Sequence, residues 1–226
     1  MQWEDEGYLL SKINYNENSV IIDVFTLNHG KCSGIVYGGV SRKIKNFLQV
    51  GNKITLLFKS KGRDKIGYFS IELIEAISPR FFEDKVKTAC IISATSLLKL
   101  LLPDFQVNKK IFISLQSFLK DLEKDKSILF YIFWELFLIK ELGFDMDFST
   151  NKIKQIDLPN NIVSFEINGK SFKIPKFIIN KEMNSISNID TRLALNFNKN
   201  LLLENFINPN NIKLPFARDI LEIYHN

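Results

Sequence analysis

Apolar and polar positions alternate with a period of two through the N-terminal third of the chain, in short runs separated by polar breaks. The last of these runs alternates most clearly, because Phe69, Ile71 and Leu73 fall on one face and Ser70 and Glu72 on the other. A period of two is typical of strands with one buried face. The pattern predicts five strands, at residues 7–14, 19–26, 31–37, 53–58 and 68–77.

The breaks between the first three runs contain residues that favour turns. Asn14, Asn16 and Asn18 separate the first two runs, and residues 28–30 (Asn-His-Gly) separate the next two. Asn and Gly tolerate the positive φ that hairpin turns require. Five strands in about 75 residues match an OB-type barrel, which binds oligonucleotides on strands 2 and 3 and through the loops after strands 1 and 4. We therefore predict a five-stranded OB-type β-barrel.

After Pro79 the apolar positions follow a helical period instead. The pattern predicts helices at residues 82–101, 108–122, 126–142, 190–207 and 215–223. Gly143 suits the left-handed position that ends a helix, and Pro215 suits a helix start. The domain boundary is therefore predicted near residues 78–82, between an OB-fold domain at 1–79 and an α-helical domain at 80–226.

A β-hairpin is predicted inside the helical region, within a subdomain at about residues 151–178. Val163, Phe165 and Ile167 alternate up to Asn168-Gly169, which is a strong two-residue turn signal. Phe172 and Ile174 would then return on the same face, and we hypothesise that Phe165 packs on Phe172. The predicted fold class is α+β.

Basic residues are concentrated in one stretch. Residues 31–65 contain nine Lys or Arg and one acid, Asp64, while the whole chain has a net charge of +5. A concentrated basic patch on a small domain favours a nucleic-acid phosphate backbone as partner, and a solvated lysine-rich surface is the alternative. The predicted nucleic-acid-binding residues are Lys31, Tyr37, Arg42, Lys43, Lys45, Lys59, Lys61, Arg63 and Lys65.

Two of these groups are expected on loops. Lys59 to Lys65 follow the fourth strand, where an OB barrel holds nucleic acid. Arg42, Lys43 and Lys45 follow Gly38-Gly39, where a missing Cβ would let the backbone approach a ligand. Tyr37 suits base stacking beside these cations if it is exposed, and it suits the core equally well.

The sequence offers little support for a catalytic function, and no catalytic residue is predicted. The best enzymatic alternative is a metal-dependent nuclease using Asp145 and Asp147 with the acids of residues 4–6, because phosphodiester cleavage uses clustered carboxylates. A solvated turn and an acidic strand edge explain the same residues more simply. His29 precedes a turn glycine and is expected to be structural.

Several segments together resemble the bacterial recombination mediator family RecO. They are residues 3–7 (Trp-Glu-Asp-Glu-Gly), 26–31 (Thr-Leu-Asn-His-Gly-Lys), 38–43 (Gly-Gly-Val-Ser-Arg-Lys), 48–52 (Leu-Gln-Val-Gly-Asn), 135–147 and 214–215. The resemblance covers nearly the whole chain, most firmly residues 1–52 and 128–148. It implies a protein that binds single- and double-stranded DNA, anneals complementary strands and, with RecR, helps to load RecA onto DNA coated by single-strand-binding protein.

An OB-fold RNA-binding accessory protein is the alternative, since basic OB barrels also serve RNA. No cofactor is expected. Many RecO-like proteins carry four cysteines in paired spacing after the Gly-Phe-Asp turn, and these bind a structural zinc. Residues 151–181 contain neither Cys nor His, so no zinc site is expected here.

The resemblance also implies a surface for the acidic, apolar tail of single-strand-binding protein. Relatives often place an arginine just before the glutamate of the long helix, whereas Ile132, Phe133 and Trp134 precede Glu135. Weak or absent tail binding is therefore expected. The positive charge that binds such a tail would have to come from Lys120, Lys124, Lys126 or Lys140.

A cytoplasmic, nucleoid-associated location and no membrane partner are expected. The acidic start of the chain does not resemble a signal peptide. The longest apolar run, residues 128–139, is too short to span a bilayer and is interrupted by Glu135. Cys32 and Cys90 are expected to be reduced core thiols.

Overall fold

The computed structural model describes residues 1–60, 66–144, 146, 153–157, 162–167, 169–183 and 186–224. By its internal contacts the chain divides into two compact units, Met1–Leu119 and Lys120–Asn226. The first unit includes two helices that the sequence analysis assigned to the helical domain. The predicted boundary near residues 78–82 stays a prediction.

The first unit contains a closed barrel, which confirms the predicted OB-type architecture. The strand order around the barrel is β1-β2-β3-β5-β4. β3 and β5 pair in parallel and the other neighbours pair antiparallel. The strands are β1 (Gln2–Asn16), β2 (Ser19–Thr26), β3 (Gly30–Tyr37), β4 (Lys53–Lys59) and β5 (Gly67–Glu75).

β1 is much longer than predicted because it serves two neighbours. Its first half, from Gln2 to Tyr8, pairs with β4, and its second half, from Gly7 onward, pairs with β2. The acids at positions 4–6 obscure the strand in the sequence, since charged residues are depleted in strands. Asp5 is nevertheless buried.

A short helix, α1 (Arg42–Phe47), occupies the segment that was predicted to be a loop. It forms because Ile44 packs against the barrel core, and Leu48, which follows it, belongs to that core. The prediction of a loop for Arg42, Lys43 and Lys45 was therefore wrong. Two longer helices, α2 (Lys85–Leu101) and α3 (Lys109–Asp121), follow a 3₁₀ turn at Ser78–Phe81.

The second unit is helical with a small sheet. Its helices are α4 (Ser127–Glu141), α5 (Phe177–Asn180), α6 (Asn188–Leu202), which continues as a π-helical turn (Leu203–Ile207), and α7 (Phe216–Ile223). Its strands are β6 (Ile153–Asp157), β7 (Ile162–Ile167) and β8 (Lys170–Pro175), paired antiparallel in that order.

The predicted hairpin is β7 with β8, and β6 adds a third strand that the sequence did not reveal. Phe165 is opposite Phe172 in the register, and Gly169 has φ +79° as the turn requires. The proposed packing of the Phe165 side chain lies outside the described residues. The Phe172 ring contacts Phe197 of α6, with centroids 5.7 Å apart.

Candidate nucleic-acid interface

A polar network closes one half of the outer barrel face formed by β1, β2 and β3. Asp23 accepts hydrogen bonds of 2.5 Å from both Ser11 and Ser33, and the ammonium of Lys99 in α2 lies 2.8 Å from its carboxylate. Burial raises the pKa of Asp23, but the hydrogen bonds from Lys99, Ser11 and Ser33 lower it more, so the net shift is downward. The carboxylate therefore stays charged and holds α2 against the barrel.

Aromatic packing covers the neighbouring part of this face. The ring of Phe112 in α3 lies 5.3 Å from Tyr8 of β1 and 5.6 Å from Phe25 of β2, and all three side chains are buried. The part of the strand 2 and 3 face that begins at Phe25 is therefore occupied by the protein itself. Among the described residues, the exposed side chains on this face, such as Ile13 and Tyr37, lie toward the opposite end of these strands.

Lys31, one of the predicted phosphate ligands, lies at this closed end. Its ammonium donates to the carbonyl oxygen of Lys99 (2.8 Å) and forms an ion pair of 3.1 Å with Asp104, and its side chain is 14% exposed. These contacts tie β3 to the last turn of α2 and to the segment that follows it. We therefore leave Lys31 out of the proposed interface.

The open end of β3 presents Tyr37, whose location the sequence left undecided. The Tyr37 side chain is 65% exposed, and its ring centroid lies 6.0 Å from that of Tyr68 on β5. Tyr15, at the far end of β1, is exposed as well. The sequence analysis missed Tyr15 because it lies outside the basic stretch.

Cations surround this open end. Arg42, Lys43 and Lys45 are exposed on α1, and Lys59 is directly opposite Tyr68 in the β4–β5 register. Gly39, just before α1, serves the barrel, since a Cβ at this position would lie 2.5 Å from Val20. The other predicted ligands, Lys61, Arg63 and Lys65, lie outside the described residues.

Lys12 joins these cations although the sequence analysis did not select it. Burial on β1 lowers the pKa of Lys12, and the positive charge of Lys45 lowers it further. Two like charges held near each other repel, and a bound anion would relieve the repulsion. Lys12 lies on a strand outside the basic stretch, and no sequence pattern around it indicates a binding residue.

Asp5, one of the three N-terminal acids, has a structural role. Asp5 accepts hydrogen bonds from the backbone and side chain of Asn28, and it lies 2.8 Å from Nδ1 of His29. The His29 ring stacks on Trp3 with centroids 3.9 Å apart. These contacts fix the β2–β3 turn. The other half of the nuclease alternative, Asp145 and Asp147, lies outside the described residues.

The second unit contains an apolar pocket of about 400 Å³. Two lysines, Lys140 and Lys181, lie among apolar side chains in its wall, and Lys181 was not selected from the sequence. The apolar lining consists of Phe133, Leu136, Phe137, Met146, Ile178 and Met183. Such a pocket suits an apolar group that carries negative charge.

The other lysines predicted to bind a partner are placed differently. The ammonium of Lys126 donates to the carbonyl oxygen of Met183 (3.0 Å), so Lys126 lies beside the pocket. Lys124 pairs with Asp121 at 2.6 Å and lies over the Phe130 ring. Lys120 is exposed at the end of α3. Only Lys140 of the four lines the pocket itself.

The described residues contain neither a metal-binding cluster nor a membrane-spanning helix. No group of three or more His, Cys, Asp or Glu side chains is arranged to hold a metal ion among them. No helix in the same residues has the length and apolar character needed to cross a membrane.

These features define the class of the protein, an OB-barrel protein that continues into a helical unit. The family model "Recombination protein O N terminal" matches residues 1–77, and "Recombination protein O C terminal" matches residues 83–191. The chain belongs to the RecO family.

Individual relatives agree with this assignment. The chain is 34% identical to the "DNA repair protein RecO" of Roseobacter denitrificans over 64% of its own length and 60% of the relative's. The proteins of the same name from Jannaschia sp. and Wolbachia pipientis subsp. Culex pipiens are 33% and 32% identical, each over 66% of this chain. The matched segment spans 61% and 62% of those two relatives.

Proposed function

We propose that the protein is a non-enzymatic mediator of DNA repair and recombination. It binds single- and double-stranded DNA, anneals complementary strands and, with RecR, helps to load RecA onto DNA coated by single-strand-binding protein. The observation that carries the DNA-binding step is the open end of the barrel, where exposed Arg42, Lys43 and Lys45 lie on the helix that follows exposed Tyr37. Membership of the RecO family supports the later steps.

A salt titration tests the DNA-binding step. If the cations contact phosphates, log affinity for a single strand falls linearly with log salt, at about 0.7 per neutralised phosphate. Reversing Arg42, Lys43 and Lys45 to Glu should weaken binding and flatten this slope. The matched control reverses Lys109, Lys176 and Lys213, which are also exposed. Equal effects of the two triple variants would contradict this location for the site.

RNA binding by the same surface is the alternative function. Gel shifts that compare DNA and RNA of one sequence separate the two functions. Basic residues bind both backbones, so the tighter of the two complexes identifies the preferred ligand. Tighter binding to DNA, together with annealing of complementary DNA strands, is the expected result. Loading of RecA is tested by adding RecR, RecA and DNA coated by single-strand-binding protein, where faster RecA assembly is expected.

We further propose that the pocket in the second unit binds the tail of single-strand-binding protein. The sequence alone predicts weak binding, because no arginine precedes Glu135. The pocket changes that expectation, since Lys140 and Lys181 supply positive charge beside an apolar lining. An acidic peptide with an apolar end needs both features.

Titration of a labelled tail peptide tests this second proposal. Saturable, salt-sensitive binding that Lys140→Glu or Lys181→Glu abolishes is the expected result. Lys213→Glu is the matched control because Lys213 is exposed and does not line the pocket. Absence of saturation at micromolar protein would restore the original expectation of weak binding.

A further inference from the structure

Helix α7 carries an apolar stripe on its outer face. The stripe consists of Phe216, Ile220, Ile223 and Tyr224, whose spacing places all four on one side of a helix. Phe216 is 72% exposed, Ile223 59% and Tyr224 43%, and Ile220 between them is half-buried. Tyr224 caps the helix with helical backbone angles, so the stripe continues through it. We call these four residues the α7 stripe.

The opposite face of α7 is committed to the interior of the second unit. Arg218 and Leu221 are fully buried there. Arg218 donates to the Glu135 carboxylate of α4 and to the carbonyl oxygen of Leu195 in α6. A rotation of α7 that buried the stripe would break these contacts and leave a buried carboxylate without its arginine, which is costly. The α7 stripe therefore stays available to a partner.

We propose that the α7 stripe binds the same stripe of a second copy of this chain, with the two helices antiparallel about a two-fold axis at Ile220. The aromatic rings of Phe216 and Tyr224 lie four residues before and four residues after Ile220. The axis therefore places Phe216 against the partner's Tyr224, and Tyr224 against the partner's Phe216. An isologous dimer interface requires this kind of self-complementarity.

The charges of α7 are compatible with a second copy. The two acids of the helix, Asp219 and Glu222, both pair with Lys199 of the same chain, at 2.8 and 3.2 Å. These ion pairs reduce the repulsion between the two copies. Lys213 is exposed just before the helix, and antiparallel pairing brings it to the C-terminal end of the partner helix, where carbonyl groups carry partial negative charge. Opposite charges therefore meet at both ends of the pair.

The exposed area sets the strength of this contact. A large side chain buries about 200 Å² when fully covered, so the exposed fractions of Phe216, Ile223 and Tyr224 leave about 350 Å² per copy. Stable interfaces bury about 800 Å² per partner, so the paired stripes form a weak dimer, with a dissociation constant of about 10–100 μM.

DNA would strengthen so weak a dimer. Two chains held on one strand reach effective concentrations of about 1 mM, at which the stripes pair. The dimer also carries two barrels and therefore two DNA sites, as the annealing of two strands requires. This consequence rests on the proposed function, whereas the pairing of the stripes does not.

Sedimentation equilibrium of the full chain without DNA tests the pairing. The weight-average mass should rise from 26.2 kDa, the mass of one chain, toward twice that value between about 1 and 200 μM protein. Phe216→Ser, Ile223→Ser should weaken the association at least about tenfold. The matched control is Phe82→Ser, Ile189→Ser, which removes one phenylalanine and one isoleucine that are also exposed. A parent that stays monomeric, or a control that dissociates as the stripe variant does, would overturn the proposal.

Disulfide cross-linking tests the two-fold axis and stays informative if the serine variant fails to fold. Ile220→Cys should form a covalent dimer on mild oxidation, because its two copies meet on the axis. Phe216→Cys alone should not, since its two copies lie about 12 Å apart along the helix pair. A mixture of Phe216→Cys and Tyr224→Cys should cross-link between the two variants.

The background in this experiment is low, because the natural cysteines Cys32 and Cys90 are both buried. Ile189→Cys is the control for random collision, since Ile189 is exposed outside the stripe. Equal cross-linking of Ile220→Cys, Phe216→Cys and Ile189→Cys would overturn the two-fold pairing. Both measurements omit DNA, so their outcome is independent of the charge-reversal test of DNA binding.

Discussion

Arg218 of α7 and Glu135 of α4 form an ion pair with no exposure to solvent on either side chain. Nε and Nη2 of Arg218 donate to the two carboxylate oxygens of Glu135 at 2.5 and 3.0 Å, and Tyr131 donates to Oε1 as well. Burial lowers the pKa of Arg218, but the charge and hydrogen bonds of Glu135, together with Tyr131 and Glu222, raise it more, so the arginine stays charged. Leu195 adds a carbonyl acceptor from α6, so the pair joins three helices.

Breaking this pair should destabilise the second unit strongly. Arg218→Met leaves the Glu135 carboxylate buried without its partner, which costs about 3–5 kcal/mol in the free energy of unfolding. The double variant Arg218→Met, Glu135→Leu removes both charges and should recover much of that loss. Urea unfolding measures both, with exposed Arg192→Met as the control. A double variant as unstable as the sum of its two single variants would contradict this account.

Asp23 should make the stability of the first unit depend on pH in the acidic range. Its pKa is lowered from an ordinary value of 3.8, so its contribution is complete above that pH and is lost as the pH falls through the lowered value. Asp23→Asn should therefore destabilise the protein most near neutral pH, and the difference from the parent should shrink as the pH falls below 3.8. Urea unfolding at several pH values measures it. A difference that is independent of pH would contradict the prediction, and exposed Asp125→Asn is the control variant.

Gly30 and Gly38 form a matched pair for testing a close backbone approach. Both have positive φ, +71° and +69°, so a Cβ strains the backbone similarly at either position. A Cβ on Gly30 would also overlap the carbonyl oxygen of Gln106, whereas one on Gly38 meets no described atom within 4 Å. Gly38→Ala should cost about 1 kcal/mol and Gly30→Ala about 1–3 kcal/mol more. Equal costs in thermal unfolding would contradict the close approach.

Stability should not depend on a metal ion. Residues 151–181 contain no Cys or His, and β7 pairs with β8 through backbone hydrogen bonds instead. A chelator should therefore leave the melting temperature unchanged, and elemental analysis should find no stoichiometric zinc. Gly169→Val, which forces a β-branched residue into φ +79°, should lower the melting temperature. Bound zinc, or a chelator effect, would show that other ligands replace the cysteines.

Local patterns predicted the barrel well but not the surface around it. The alternation of β5 and the limits of β2 follow from residues that are neighbours in sequence, so a period of two reveals them. The contact of Lys99 with Ser11 joins residues 88 positions apart, and no local pattern records it. The covered half of the outer barrel face could therefore not be predicted from the sequence. The structural contacts of Lys31 could not be predicted for the same reason.

The candidate binding residues that the sequence did not reveal share a physical reason. Lys12 and Lys181 are single charges in ordinary surroundings, and only the fold brings them near Lys45 and Lys140. Tyr15 falls in the predicted turn after residue 14, and only the structure extends β1 past it to Asn16. The short helix α1 was missed because glycines and a serine precede it, and because its stability comes from packing Ile44 on the barrel.

The aromatic contact between α3 and the barrel bears on how the protein is divided for experiments. A fragment cut after residue 79 would leave Tyr8 and Phe25, both almost fully buried by the intact chain, without the ring of Phe112. An apolar surface exposed in this way promotes aggregation of a truncated domain. A fragment intended to carry the barrel should therefore extend through the end of α3. If a fragment that ends at residue 79 is insoluble, that result carries no information about DNA binding.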